Sequence, residues 1–236
     1  TYTVNGIEPL WLVYTPLLTY PRTGDAEKDS LLIPGLAEDM PEISEDGKTY
    51  TLTLRKGLKY SDGSPVKASD FEHTVKRVLN LESGGSAFFL GITGAQDYID
   101  AGKCKGDIAG IETNDDTGDI TINLDAPDGS FSNVLAMWFV GLVPGDTPCK
   151  NLTESPPPGV GPYKITESVP NRQFVMEKNT NFPDLGADIP AGHVDKITTK
   201  IIKNAVRQAQ DVISGELDYM QDPPPADIKP EVKAKY

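Results

Sequence analysis

A mixed α/β fold is the class this sequence predicts, on three local patterns. An alternating stretch over 49–55 runs through a charged turn into an amphipathic helix that starts at Ser69. Two apolar stretches, 108–111 and 119–124, flank a polar Asn-Asp-Asp-Thr-Gly turn, and a second amphipathic helix with start and stop signals occupies 204–215. Strands and helices therefore alternate along the chain.

In chain order, Leu10-Trp11-Leu12-Val13-Tyr14 reads as an apolar helix, followed by a Pro21–Gly24 turn and short extended pieces around Leu36-Ala37-Glu38-Asp39. Tyr50, Leu52 and Leu54 alternate with Thr49, Thr51, Thr53 and Arg55, the period-two pattern of a strand with one buried face. Asp62-Gly63 marks a turn. Ser69 stands three residues before Glu72, the spacing of a capping box at a helix N-terminus. Phe71, Val75, Val78 and Leu79 then recur at helical spacing. The stretches 108–111 and 119–124 form a hairpin around Gly118, and the apolar run Phe131–Val143 predicts a buried helix. Ser155-Pro156-Pro157-Pro158-Gly159 is stiff, poor in backbone donors and suited to a crossing between domains. Residues 194–202 alternate with Ile197 and Ile201 on one face. Asn204 caps a helix whose Val206, Ala209, Val212 and Ile213 face inward, and Gly215 ends it.

The 236 residues include 22 Lys and Arg against 35 Asp and Glu, a net charge of −13, and 38% hydrophobic residues. That content suffices for a packed core, and a field of that sign repels phosphate backbones, so nucleic acid is excluded as a partner. No run approaches the roughly 18 apolar residues of a membrane-spanning helix. Thr1 opens neither a basic nor an apolar leader, so the chain is expected to be cytosolic or already trimmed. Cys104 and Cys149 are the only cysteines, and with His73 and His193 alone to join them they make no zinc site. A disulfide and two separate buried thiols both remain open.

No constellation for hydrolysis is visible: the chain lacks G-x-S-x-G, H-E-x-x-H and a phosphate-binding glycine loop. His73 and His193 read as surface or rim residues. Asp115, Asp116 and Asp119 do not follow a calcium-loop spacing and read as a solvated hairpin turn. Asn151-Leu152-Thr153 has the form of a glycosylation sequon. For small-molecule binding the aromatic residues matter more, because concave sites are lined by apolar side chains with a few polar groups. Trp11, Tyr14 and Trp138 are the candidates, the alternative for both tryptophans being core packing.

The run Thr51, Leu52, Leu54, Arg55, Lys56, Gly57, Leu58, Tyr60, Asp62, Gly63, Pro65, Val66, Ala68 and Asp70 resembles the hallmark segment of the family 5 extracellular solute-binding proteins, receptors of ABC importers for peptides, nickel and some sugars. Ser61 departs from the His often found there. Tyr14 and Leu17, then Pro34 through Glu38, fit the family's N-terminal pattern. Gly159-Val160-Gly161-Pro162-Tyr163 resembles its G-[TV]-GPY, and Val212 through Asp218 resembles its L-x-x-GE-[IL]-D.

The resemblance implies a periplasmic-binding-protein-like fold, type II, cluster C. Domain I would be assembled from 1–45 and 159–236, domain II would be the insert 46–158, and a ligand-closing domain III would lie beyond Tyr236 in a longer receptor. It implies a receptor that captures a short peptide or similar small solute by hinge closure and passes it to the membrane subunits of an ABC permease. No cofactor, metal or catalytic residue is implied, and the receptor is expected to act as a monomer. A sensory or adhesive half-receptor, or less favourably a secreted hydrolase, is the alternative. The location would be periplasmic or extracellular with a lipid anchor, the signal peptide removed. That oxidising compartment favours a Cys104–Cys149 disulfide. Such a bridge contributes roughly 4 kcal/mol in the chain-entropy picture if the Cα atoms lie within about 7 Å. In the family, backbone groups near the start of the mature chain hold ligand, which nominates Asn5, Gly6, Ile7 and Glu8.

Overall fold

The computed structural model describes residues 4–81, 83–102 and 104–235, with side chains from residue 9 onward. In chain order the elements are α1 (Val4–Val13), β1 (Leu18–Thr19), β2 (Ile33–Pro34), β3 (Glu42–Ile43), β4 (Thr49–Thr53), α2 (Ser69–Asn80), α3 (Ala95–Ala101), β5 (Ile111–Asn114), β6 (Asp119–Asn123), α4 (Phe131–Val134), β7 (Tyr163–Val169), β8 (Gln173–Lys178), β9 (Lys196–Lys200), α5 (Ala205–Ser214) and α6 (Lys229–Lys235). They form a β1-β2 ribbon, a four-stranded sheet in the order β3-β4-β6-β5 and a three-stranded sheet in the order β7-β8-β9. Every pairing is antiparallel.

In the four-stranded sheet, Tyr50 lies opposite Ile122 and Leu52 opposite Ile120, and all four are buried. The alternation read from the sequence thus aligns two apolar stripes, since a one-residue slip would turn both to solvent. Phe71, Val75, Val78 and Leu79 of α2 pack into the same cluster, together with Phe89, Phe131 and the early residues Leu17, Leu18, Leu36 and Ala37. A second, smaller cluster joins Val13 and Tyr14 to Val143, Tyr163 and Met176 beside the three-stranded sheet.

Several expectations hold. The acidic hairpin turn links β5 to β6, Asn204 Oδ1 accepts the Arg207 amide at the start of α5, and Gly215 ends that helix at φ +83°. Other expectations are corrected. Ser69 and Glu72 do not form a capping box: Ser69 directs its amide and hydroxyl to the Asp115 carboxylate, while Glu72 accepts the Ile108 amide and pairs with Lys76. Ala68 at the helix start gives no side-chain cap, and Asp70 turns back to accept the Lys67 amide, which precedes the helix, at 2.9 Å. The run 131–143 is not one helix. α4 is a single turn, a 3-10 turn covers Trp138–Val140, and the chain then extends because Gly141 passes so close to Tyr14 that a side chain would not fit. Ile201 lies outside β9 and is exposed, so it shares no buried face with Ile197. Of the inward-facing set on α5, Ala209 is buried and Val206, Val212 and Ile213 are half-buried.

Candidate functional site

α1 and the turn after α4 bring the two tryptophans together. Trp11 and Trp138 meet edge to face, with ring centroids 6.0 Å apart at 82°. Trp138 meets Phe139 in the same manner at 5.4 Å, and Phe139 stacks on Phe88 and abuts the buried Phe89. The aromatic row thus runs from the core to the surface, where Trp11 is 36% and Phe88 41% exposed. Such edge-to-face pairs add about 0.5–1.5 kcal/mol beyond burial and hold the rings in fixed attitudes. The Arg22 guanidinium donates to the Trp11 carbonyl at 2.9 Å, meeting one of the acceptors that a helix C-terminus leaves open.

Tyr14 does not share this exposed edge. It is buried, its hydroxyl donates to the Pro157 carbonyl at 2.7 Å, and burial pushes its ionisation well above the ordinary tyrosine value, against the pull of the Arg77 charge. It is a neutral spacer between α1 and the proline-rich crossing. Asn5, Gly6, Ile7 and Glu8 lie in the opening turns of α1, and their side chains fall outside the described residues. Pro9 has no amide to offer the Asn5 carbonyl four residues before it, so that helical hydrogen bond is missing.

The crossing seats α1 through glycine. A Cβ on Gly161 would stand 2.3 Å from the Leu12 carbonyl oxygen and 2.4 Å from the Val13 carbonyl carbon; one on Gly159 would stand 2.3 Å from the Val13 oxygen. Asn179, itself buried, holds the crossing by donating to the Gly161 carbonyl, while its Oδ1 accepts the Asn181 amide. Because both obstacles at Gly161 are backbone atoms, Gly161→Ala forces the helix end to move. It is expected to destabilise by about 3 kcal/mol, read as a lower urea midpoint.

Residues 141–150 lie as a strap along α2, held by four hydrogen bonds to side chains from Asp70 to Arg77. Gly145 donates its amide to Asp70 Oδ1 at 2.8 Å and Val143 donates to Thr74 Oγ1 at 3.2 Å. His73 Nε2 donates to the Thr147 carbonyl at 2.9 Å, and Arg77 donates to the Lys150 carbonyl at 3.3 Å. Cys149 is joined to Cys104 by a disulfide across Cα atoms 6.2 Å apart, as expected. His73 is therefore half-buried and engaged, whereas His193 is exposed. Asp115 and Asp119 spend their carboxylates on Ser69, Thr53 and Thr117, and among the described residues no group of three or more His, Cys, Asp or Glu could hold a metal.

A cleft of about 770 Å³ opens between the Asp62–Ser69 turn and the strap, walled also by Pro156, Pro157 and Pro158. None of Trp11, Tyr14 or Trp138 lines it. The sequence reading missed both strap and cleft, because the strap itself offers only backbone amides and carbonyls to the α2 side chains in these contacts, and those groups carry no residue signature. Two motifs that were read separately do meet at this edge. The Ser61 amide donates to the Gly159 carbonyl at 3.0 Å, and Asn181 bridges the carbonyls of Tyr60 and Ser61.

Among known proteins, the family described as bacterial extracellular solute-binding proteins, family 5, middle region, matches residues 32–236. The dipeptide-binding protein DppE of Bacillus subtilis is 35% identical over 198 residues, which cover 81% of this chain and 35% of that protein. The oligopeptide-binding protein OppA of the same organism is 30% identical, covering 75% of this chain and 33% of its own length. The chain thus spans about a third of the curated relatives it matches. Among solved structures, clavulanic acid biosynthesis oligopeptide binding protein 2 superposes with a TM-score of 0.81 at 26% identity, over 92% of this chain and 40% of that one. Haemophilus influenzae OppA in complex with the peptide RPPGFSPFR superposes at 0.77 and 24% identity, over 100% of this chain and 45% of that one, a likeness of fold.

Proposed function

Because the chain belongs to the bacterial extracellular solute-binding proteins of family 5, we propose that it forms part of a receptor that captures a short peptide and delivers it to an ABC permease. The relatives named for dipeptide and oligopeptide binding support the peptide as solute. The receptor acts outside the cytoplasmic membrane as a monomer and leaves the peptide chemically unchanged. Binding favours a hinge-closed state, which is the form the permease accepts. In this reading residues 46–158 form an insert between two segments of one ligand-facing domain, and the packing of α1 against β7 joins those segments.

The observation that carries the reading is the half-exposed Trp11–Trp138 pair at the end of α1. Fixed aromatic faces take up peptide side chains at little cost in conformational entropy, and the Asn5 carbonyl offers an acceptor to a peptide amide. Calorimetry on the full-length protein tests this with di- and oligopeptides, sugars and nickel chelates. Saturable binding of peptides with the peptides recovered intact is expected, and Trp11→Ala is expected to weaken it about 30-fold, a loss of about 2 kcal/mol. Peptide cleavage would establish a hydrolase instead, and binding confined to sugars or chelates would overturn the peptide assignment.

A further inference from the structure

We propose that the Cys104–Cys149 disulfide is a redox clasp that positions the Trp11–Trp138 aromatic pair. The segment 141–161, which begins as the strap and carries Cys149, touches the end of α1 and the adjoining Tyr14 at both of its ends. At its entry, a Cβ on Gly141 would stand 2.4 Å from the Tyr14 Cβ; at its exit, Pro157 accepts the Tyr14 hydroxyl and Gly159 and Gly161 lie on the Leu12 and Val13 backbone. Trp11 precedes Tyr14 by three residues on α1, and Trp138 precedes Gly141 by three on the strap side. The two rings are therefore set by the path of one segment, and the bridge fixes that segment near its middle.

Cys104 has φ +52°, a left-handed conformation that only it and Asn171 adopt among the described non-glycine residues. An L residue with a Cβ seldom adopts this conformation, and in Cys104 it coincides with the covalent tie to Cys149. Both cysteines are half-buried, within reach of a small dithiol. In the exchange a dithiol gives two electrons and two protons: the Cys104–Cys149 S–S bond breaks, two thiols form, and the dithiol closes to its own disulfide. The strap keeps its hydrogen bonds to Asp70, His73, Thr74 and Arg77 and the packing of Leu142 and Val143, while its later part, leading to the Pro157–Gly161 contacts with Tyr14 and α1, loses its covalent tie.

That the aromatic pair meets a ligand rests on the reading proposed above; the clasp does not, and its test uses no ligand. The full-length protein is labelled with 5-fluorotryptophan, and the Trp11 and Trp138 fluorine resonances are assigned by their loss in Trp11→Phe and Trp138→Phe. On reduction with dithiothreitol both resonances are expected to move while far-UV circular dichroism is retained, and to return on reoxidation. The Cys104→Ala/Cys149→Ala double variant is expected to show the moved resonances from the start and to ignore the dithiol. If the double variant fails to fold, the reduction of the folded protein decides alone. A resonance that stays in place in the reduced protein overturns the proposal, as does a loss of circular dichroism together with the bridge.

Discussion

Removing the Cys104–Cys149 bridge is expected to lower the free energy of unfolding by about 4 kcal/mol. The bridge spans 45 positions of sequence, and in the chain-entropy picture closing a loop of that size removes about that much freedom from the unfolded chain. Its native geometry requires no long reach, the Cα atoms lying 6.2 Å apart. The hydrogen bonds of the strap to α2 persist in the reduced folded state, so the loss arises chiefly in the unfolded ensemble. Urea titrations of the oxidised and reduced protein measure it. The slope should rise on reduction, because the unfolded chain then exposes more surface, and the midpoint should fall. A difference under about 1 kcal/mol would show that the unfolded chain is already compact around these cysteines.

Asp70→Ala is expected to cost about 3 kcal/mol. Its carboxylate accepts the Tyr60 hydroxyl at 2.8 Å, the Lys67 amide at 2.9 Å and the Gly145 amide at 2.8 Å, so it serves at once as core acceptor, tie to the turn before α2 and strap anchor. Tyr60 is fully buried, and its orphaned hydroxyl carries most of the penalty, with the lost Lys67 and Gly145 bonds adding the rest. Burial also pulls the Asp70 carboxyl above its ordinary value of 3.8, against the lowering effect of those hydrogen bonds. A raised carboxyl contributes stability that is fully present below 3.8 and is lost as the pH rises through the raised value. Asp70→Asn, which does not titrate, should therefore trail the wild type by more in acid than at neutral pH. Thermal unfolding of the pair across that range checks the sign.

Much of the fold was legible because it rests on local periodicity. The stripe of Phe71, Val75, Val78 and Leu79 defines α2 without reference to the rest of the chain, and Asn204 and Gly215 mark the ends of α5 by chemistry confined to a few residues. Ser69 and Glu72 misled for the complementary reason. Their spacing fits a local cap, but each found a distant partner, in Asp115 and Ile108, and the helix starts without a side-chain cap. The run 131–143 is apolar enough for a buried helix, yet Tyr14 occupies the space its continuation needs. The disulfide could be expected only through the family resemblance, which implies an oxidising compartment where the two cysteines are favoured to pair. Trp11 and Trp138 could be nominated but not joined, since the turn that brings them together carries no periodic signal.

The seam between α1 and the Gly159–Gly161 crossing is made largely of main-chain atoms: glycine α-carbons against the carbonyls of Leu12 and Val13. A joint of that kind does not inspect the side chains that α1 displays outward. Trp11 can consequently be exchanged for another aromatic or aliphatic residue without redirecting the helix that bears it. The helix end behaves as an interchangeable cartridge, seated by its backbone and free to present a different surface.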